Sequence, residues 1–283
     1  MDNGSRTHRD ACMTGHWTPC YNELGGQTHS RQVGRTMAKR RNIDQILQDW
    51  DYQPGEVAAR VVRGQDGREL LQMRIDLGLL QLEVTGRPDG TRPNGAETYF
   101  DYLLALTVHD GRDFVLTEEQ CAEVDREFVQ FYQRRICWLA LREFSRAVRD
   151  ADHSLAFMDF VKNCSPDEQW TMSHEQYRPF ILFHRTQAAA LAGLENKGPE
   201  AAIEQINQGL NRMREFFVEH EAEEQFEEDE LVTRLDQLRE SLRDHYHVGR
   251  TLGEQLADAV ASEQYELAAR LRDEIARRET GKI

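Results

Sequence analysis

The chain has 283 residues, 39% hydrophobic and 30% charged, enough for one large domain or two to three small ones. Its 50 acidic against 35 basic residues leave a net charge of −15, which repels phosphate backbones and excludes direct nucleic-acid binding as a first expectation. No apolar run approaches the roughly 20 residues that cross a bilayer, and no charged-then-apolar signal opens the chain, so a cytoplasmic location without membrane contact is expected.

Residues 1 to 36 are polar and lack an apolar period, the pattern of a disordered tail, and Met37 is a second candidate start. Within this tail His8, Cys12, His16 and Cys20 recur every four residues, but Gly15 and Pro19 break the helix that would align them as metal ligands. The five cysteines, Cys12, Cys20, Cys121, Cys137 and Cys164, form no Cys-x-x-Cys pair and read as reduced thiols. No metal and no cofactor are expected.

Residues 37–116 read as a small α+β domain. Val57 to Arg63 and Leu71 onward form a β-hairpin around Asp66-Gly67, where glycine tolerates the positive φ of a tight turn. Leu71, Met73, Ile75 and Leu77 alternate cleanly, then the phase slips to Leu80, Leu82 and Val84. This predicts one long strand with a β-bulge near Gly78-Leu79. A hairpin is marginal alone, so a helix over Glu97 to Val108 is expected to cover it. The Pro- and Gly-rich stretch between them, with Arg87 and Arg92, reads as a connection rather than an anion loop.

From Glu118 to His220 the apolar pattern is helical and repeats with an offset of 55: Ala147 matches Ala202, Ala151 matches Ile206, Leu155 matches Leu210 and Met158 matches Met213. Each copy predicts two helices joined by a short turn, at Arg142-Glu143 and at Lys197-Gly198-Pro199, with an extended connection from Asn163 to Gln176. Glu143-Phe144-Ser145-Arg146-Ala147 and Pro199-Glu200-Ala201-Ala202-Ile203 resemble tetratricopeptide (TPR) hairpins, which implies a TPR-like middle over 117–220. His153, His174 and His184 lie here without a nucleophile, phosphate loop or two-His metal spacing, so no catalytic residue is expected. Residues 221–250 follow as an acidic linker, a solvated helix or flexible link. They carry a short heptad-like stripe at Leu231, Leu235, Leu238 and Leu242, too brief to establish a coiled coil.

Residues 251–283 close the chain. Leu252, Leu256, Ala259 and Val260 form one helical stripe, and Tyr265, Ala268, Ala269, Arg272 and Ile275 another after a break near Ser262-Glu263. Tyr265-Glu266-Leu267-Ala268-Ala269-Arg270-Leu271-Arg272-Asp273-Glu274-Ile275 resembles the UVR motif of the UvrB and UvrC excision-repair proteins. The preceding Leu256 to Glu263 suits that motif's first helix. The resemblance implies a helical hairpin used for protein contacts, with Leu256, Tyr265, Ala268, Ala269, Leu271, Arg272, Asp273 and Ile275 as partner-binding positions. Nothing resembles the UvrB helicase motifs or a UvrC nuclease, so the repair chemistry does not carry over.

The predicted fold class is α+β and mostly α, from an N-terminal β-hairpin with its helix through TPR-like hairpins to the UVR hairpin. The expected function is a non-catalytic adaptor that docks a protein partner, UvrB- or UvrC-like or a second copy of itself. The alternative is an accessory factor of nucleotide excision repair that binds UvrB or UvrC.

Overall fold

The structure is a computed structural model, and it describes residues 43–110 and 114–280. The expectations for the tail, for Met37 and for the His8 to Cys20 series lie outside the described residues. After a short helix α1 (Asp44–Leu47), strands β1 (Ala59–Arg63), β2 (Glu69–Ile75) and β3 (Gly78–Glu83) form an antiparallel sheet in the order β1-β2-β3. The β1–β2 turn carries Asp66-Gly67 as expected, with Gly67 at φ +82°.

The single bent strand is corrected to two. Ile75 pairs with Gly78, Met73 with Leu80 and Leu71 with Leu82, so Asp76 and Leu77 are a two-residue turn and Leu77 is 89% exposed. Reversing the chain through two residues moves the inward set from odd to even positions. A one-residue bulge would leave the same imprint on the sequence.

The covering helix is also corrected. Helix α2 (Tyr99–Asp110) sends Tyr99 and Leu103 into a cluster with Cys121, Val124, Phe157 and Val161. The sheet's inward Leu71 and Leu82 instead pack on Cys137, Trp138, Phe144, Ala147 and Ala188. These belong to α3 (Glu118–Ala140), α4 (Phe144–Cys164) and α6 (Arg178–Lys197). Helix α3 opens on a capping box between Thr117 and Gln120, which satisfies two of the amides a helix start leaves unpaired.

Helices α3 and α4 form one antiparallel pair, and α6 forms another with α7 (Pro199–Glu219) across Gly198, whose φ of +96° favours glycine. The connection expected to be extended contains helix α5 (Glu168–Glu175), started by the Asp167 carboxylate accepting from Trp170 N–H at 2.8 Å. Ala151, Met158, Ala202, Ile203, Ile206 and Met213 are almost wholly buried at the helix contacts. Each larger apolar side chain among them contributes about 1.5–3 kcal/mol relative to exposure. Gly209 lets α6 and α7 meet closely, because a Cβ there would stand 2.0 Å from Thr186 Oγ1.

The acidic stretch is packed rather than free. Helices α8 (Glu223–Phe226) and α9 (Glu230–Tyr246) occupy it, and Phe226 is buried against Phe217 of α7. Asp229 caps α9 by accepting from Leu231 and Val232 N–H at 2.9 and 3.0 Å. The leucine stripe faces this chain's own core: Leu235 and Leu242 are buried with Val232, and Leu231 and Leu238 pack beside them. The stripe is thus used within the molecule.

Charged groups are also interred. Arg134 binds the Asp150 carboxylate at 2.8 Å through both Nε and Nη2, and its Nη1 donates to the carbonyls of Glu83 and Gly86. Glu127 accepts from the Tyr99 and Phe100 amides at 2.7 and 3.1 Å, neutralising the start of α2, while Arg87 lies 3.5 Å away. These pairs tie the loop after β3 to the helices.

Candidate functional site

The chain ends in a hairpin of α10 (Leu252–Ala261) and α11 (Tyr265–Thr280), which pack on each other. Thr251 and Glu254 form a capping box: Glu254 N–H donates to Thr251 Oγ1 at 3.3 Å, and Thr251 N–H donates to Glu254 Oε2 at 2.8 Å. A turn at Ser262 to Gln264 reverses the chain, with Glu263 in the left-handed region at φ +57° and Gln264 N–H donating to Ala259 O at 2.8 Å.

The buried side chains of the hairpin are small: Ala259 is 3% exposed and Ala268 is 8% exposed. Leu252, Leu256, Leu267, Leu271 and Ile275 are half-buried around them, so two alanines permit close approach and leucines seal the flanks. Tyr265, Ala269, Arg272 and Asp273 are exposed. Six residues turn a helix by about 600°, which sets Tyr265 and Leu271 on different sides of α11; the first is 68% exposed and the second half-buried. Val260, read from the sequence as part of the first stripe, is 53% exposed and flanks the same turn as Tyr265. Arg272 and Asp273 pair at 3.4 Å on the surface, a contact worth little in water.

The hairpin stands on the rest of the chain through polar groups at its root. Glu254 accepts from Asn207 Nδ2 of α7 at 3.0 Å and pairs with Arg243 of α9. Burial raises the Glu254 pKa, but the Thr251 amide, Asn207 and Arg243 outweigh it and hold the carboxyl below its ordinary value. Thr251 Oγ1 donates to Glu204 Oε2 at 3.1 Å. The Glu204 carboxylate lies so close to the first turn of α10 that a Cβ on Gly253 would stand 2.6 Å from it. At the far end Arg278 reaches Glu200 at 3.5 Å. Between α7, α9 and α10 lies a polar cleft of about 780 Å³ that includes Arg239, Asp236 and Arg250. Glu204, Asn207 and Arg243 were not singled out in the sequence. The readable signal was Thr251-x-x-Glu254, a capping box that fixes where α10 begins.

Two antiparallel helices joined by a short turn are the helical hairpin that the sequence resemblance implied. Residues 250–279 match the UvrB/uvrC motif, UVR. No curated protein and no solved structure matches the chain. The UVR match covers both helices and the cap, and the body before it is described by its own residues alone.

Other candidate groups are engaged elsewhere. Arg87 is 4% exposed and held by Glu123 at 2.7 Å, so it is not offered to an anion, and Arg92 pairs with Glu97 at 2.6 Å on the surface. His153 contacts Glu127 at 3.1 Å and stacks on Phe131, while His174 bridges Asp125 and the Trp170 carbonyl. Burial, with the nearby Arg135 cation, pushes His184 down to about 3. Burial pushes the Cys137 thiol up to about 12 and Cys164 to about 11, and raises Cys121 as well, so these thiols stay protonated at neutral pH. Among the described residues no group of three or more His, Cys, Asp or Glu could hold a metal ion. No described helix is long and apolar enough to cross a membrane.

Proposed function

We propose that the chain is a non-catalytic adaptor, cytoplasmic, that docks a protein partner through its UVR hairpin. The observation that carries this reading is the division of labour within the hairpin. Its root is fixed by Thr251 and Glu254 to Glu204, Asn207 and Arg243, while Val260 and Tyr265 at its turn face solvent. An aromatic ring bears large contact area at low conformational cost, which suits it to anchor a partner. In this reading Tyr265, Val260, Ala269, Arg272 and Asp273 meet the partner, and Leu256, Ala268, Leu271 and Ile275 keep the two helices together.

The narrower reading, an accessory factor of nucleotide excision repair, draws its support from the UvrB and UvrC named in the motif. Both readings are tested by immobilising the full chain and a chain lacking residues 251–283 and measuring capture of purified UvrB, purified UvrC and the same chain added free. Capture of either repair protein that needs residues 251–283 supports the narrower reading. Capture that is equal without the hairpin contradicts docking through it.

A further inference from the structure

One cation inside the helical body lacks a counterion of its own. Arg135 of α3 is 2% exposed, and its Nη1 donates to Ser154 Oγ of α4 at 3.2 Å. Its Nε is wholly buried without a partner, and its Nη2 has none among the described residues. The carboxylate that acts on Arg135 is Asp150, but both Asp150 oxygens are held by Nε and Nη2 of Arg134 at 2.8 Å. Asp152, two residues on, is engaged by Arg185 at the surface. Two buried guanidinium groups therefore share one carboxylate, which leaves one positive charge in excess. Burial lowers the Arg135 pKa to about 10, so the group is still a cation at neutral pH. A buried charge is costly unless it is paired.

The surroundings supply a second unpartnered group and apolar walls. His184 of α6 lies near enough to feel the Arg135 cation, and its Nδ1 is also buried without a partner. The Tyr132 ring centroid is 5.7 Å from the Arg135 guanidinium carbon, and the Phe180 ring is 6.3 Å from that of Tyr132 and 4.1 Å from that of His184. These three rings are half-buried, so they stand between the guanidinium and solvent. The edge of Arg135 that carries Nε and Nη2 is the edge with which Arg134 grips Asp150, a two-point geometry that matches a planar carboxylate.

We propose that Arg135 and His184 form a buried site for one small carboxylic acid, bound as its anion, with the carboxylate on the Nε–Nη2 edge and a short apolar tail against Tyr132 and Phe180. His184, in its Nδ1–H tautomer, would donate to the same anion. One monoanion matches one excess charge. Water would satisfy the hydrogen bonds but not the charge, and a phosphate dianion would bring more charge than the site lacks. A guanidinium that is 2% exposed behind three rings suits a short free acid better than a side chain of a docked polypeptide.

The test titrates the full chain with sodium butyrate and follows the Arg135 Nε–H and His184 ring signals by NMR. Butyramide, of the same shape without the charge, and sodium chloride at equal ionic strength are the comparisons. The expected result is a saturable shift of both sets of signals with butyrate alone, together with a rise in melting temperature that grows with butyrate concentration. Arg135→Lys, which keeps the charge and loses the planar fork, should weaken butyrate at least tenfold in the His184 signals. Should that variant fail to fold by circular dichroism, the titration of the intact chain decides alone. No saturable shift, an equal shift with butyramide or chloride, or unchanged affinity in a folded Arg135→Lys chain overturns the proposal. A blocked five-residue peptide with a central Asp is the last arm, and tighter binding of it than of butyrate also overturns the proposal, by making a protein carboxylate the ligand. The hairpin is untouched throughout, so UVR docking stands or falls separately.

Discussion

Replacing Ala268 by Asp probes how the hairpin is held together. Ala268 is 8% exposed, and its N–H is already bonded to Gln264 O at 2.9 Å. A carboxylate there has neither room nor solvation, and the cost of overpacking plus an unpaired buried charge is on the order of 3 kcal/mol. The two helices, of 10 and 16 residues, bury few apolar side chains, so their local stability is no larger than that cost. About 3 kcal/mol corresponds to roughly a hundredfold change in an opening equilibrium. Amides of residues 252–280 should therefore exchange with deuterium about a hundredfold faster, while those of α6 and α7 keep their rates, because the root contacts are polar and the body's core is complete without the hairpin. Segment-resolved exchange by mass spectrometry separates these outcomes. If α6 and α7 also lose protection and the melting temperature of the whole chain falls by several degrees, the hairpin is part of the main core and the reasoning fails.

Three further outcomes are expected. The folded His184 pKa is about 3 against 6.5 in the unfolded chain, so the unfolded state alone takes a proton between these values; stability should be complete above pH 6.5 and fall as pH drops toward 3, and His184→Phe should flatten that slope in thermal melts. Arg134→Met leaves Asp150, 0% exposed, without its cation, and should lower unfolding free energy in urea by about 3–5 kcal/mol. Gly253→Ala should displace the Glu204 carboxylate and break its bond from Thr251, costing about 1 kcal/mol at the hairpin root; faster exchange confined to the first turn of α10 would verify it, and unchanged exchange would contradict the contact.

What the sequence disclosed followed the strength of local signals. Apolar periodicity located the long helices, and the small residues Ala147 and Ala202 mark where helices meet; the capping boxes Thr117-x-x-Gln120 and Thr251-x-x-Glu254, which went unread, fix where α3 and α10 begin. The β2–β3 turn was hidden because Asp76-Leu77 lacks the Asn-Gly or Asp-Gly signature, and its phase shift imitates a bulge. The acidic stretch concealed Phe226 and the Asp229 cap, since a high density of glutamates reads as solvated whatever one aromatic among them does. Long-range polar contacts left no local trace at all. Glu127, Arg134 and Asp150 occupy helix positions that look solvent-facing by composition, and Glu204, Asn207 and Arg243 meet Glu254 only once α7, α9 and α10 are assembled. For the hairpin, the motif gave the residues, but only the fold separated Ala268 and Leu271, which hold the helices together, from Tyr265 and Val260, which face outward.

The central claim, that the turn of the UVR hairpin meets a protein partner, is tested most directly by placing a photo-crosslinking phenylalanine analogue at Tyr265, at Val260 and, for comparison, at Val218, an exposed position on α7. Illumination in living cells should yield a discrete adduct of one partner from positions 265 and 260 and none from 218, and Ala268→Asp should abolish it. An adduct from position 218 alone, or one from 265 that persists when Ala268→Asp has opened the hairpin, would contradict the claim.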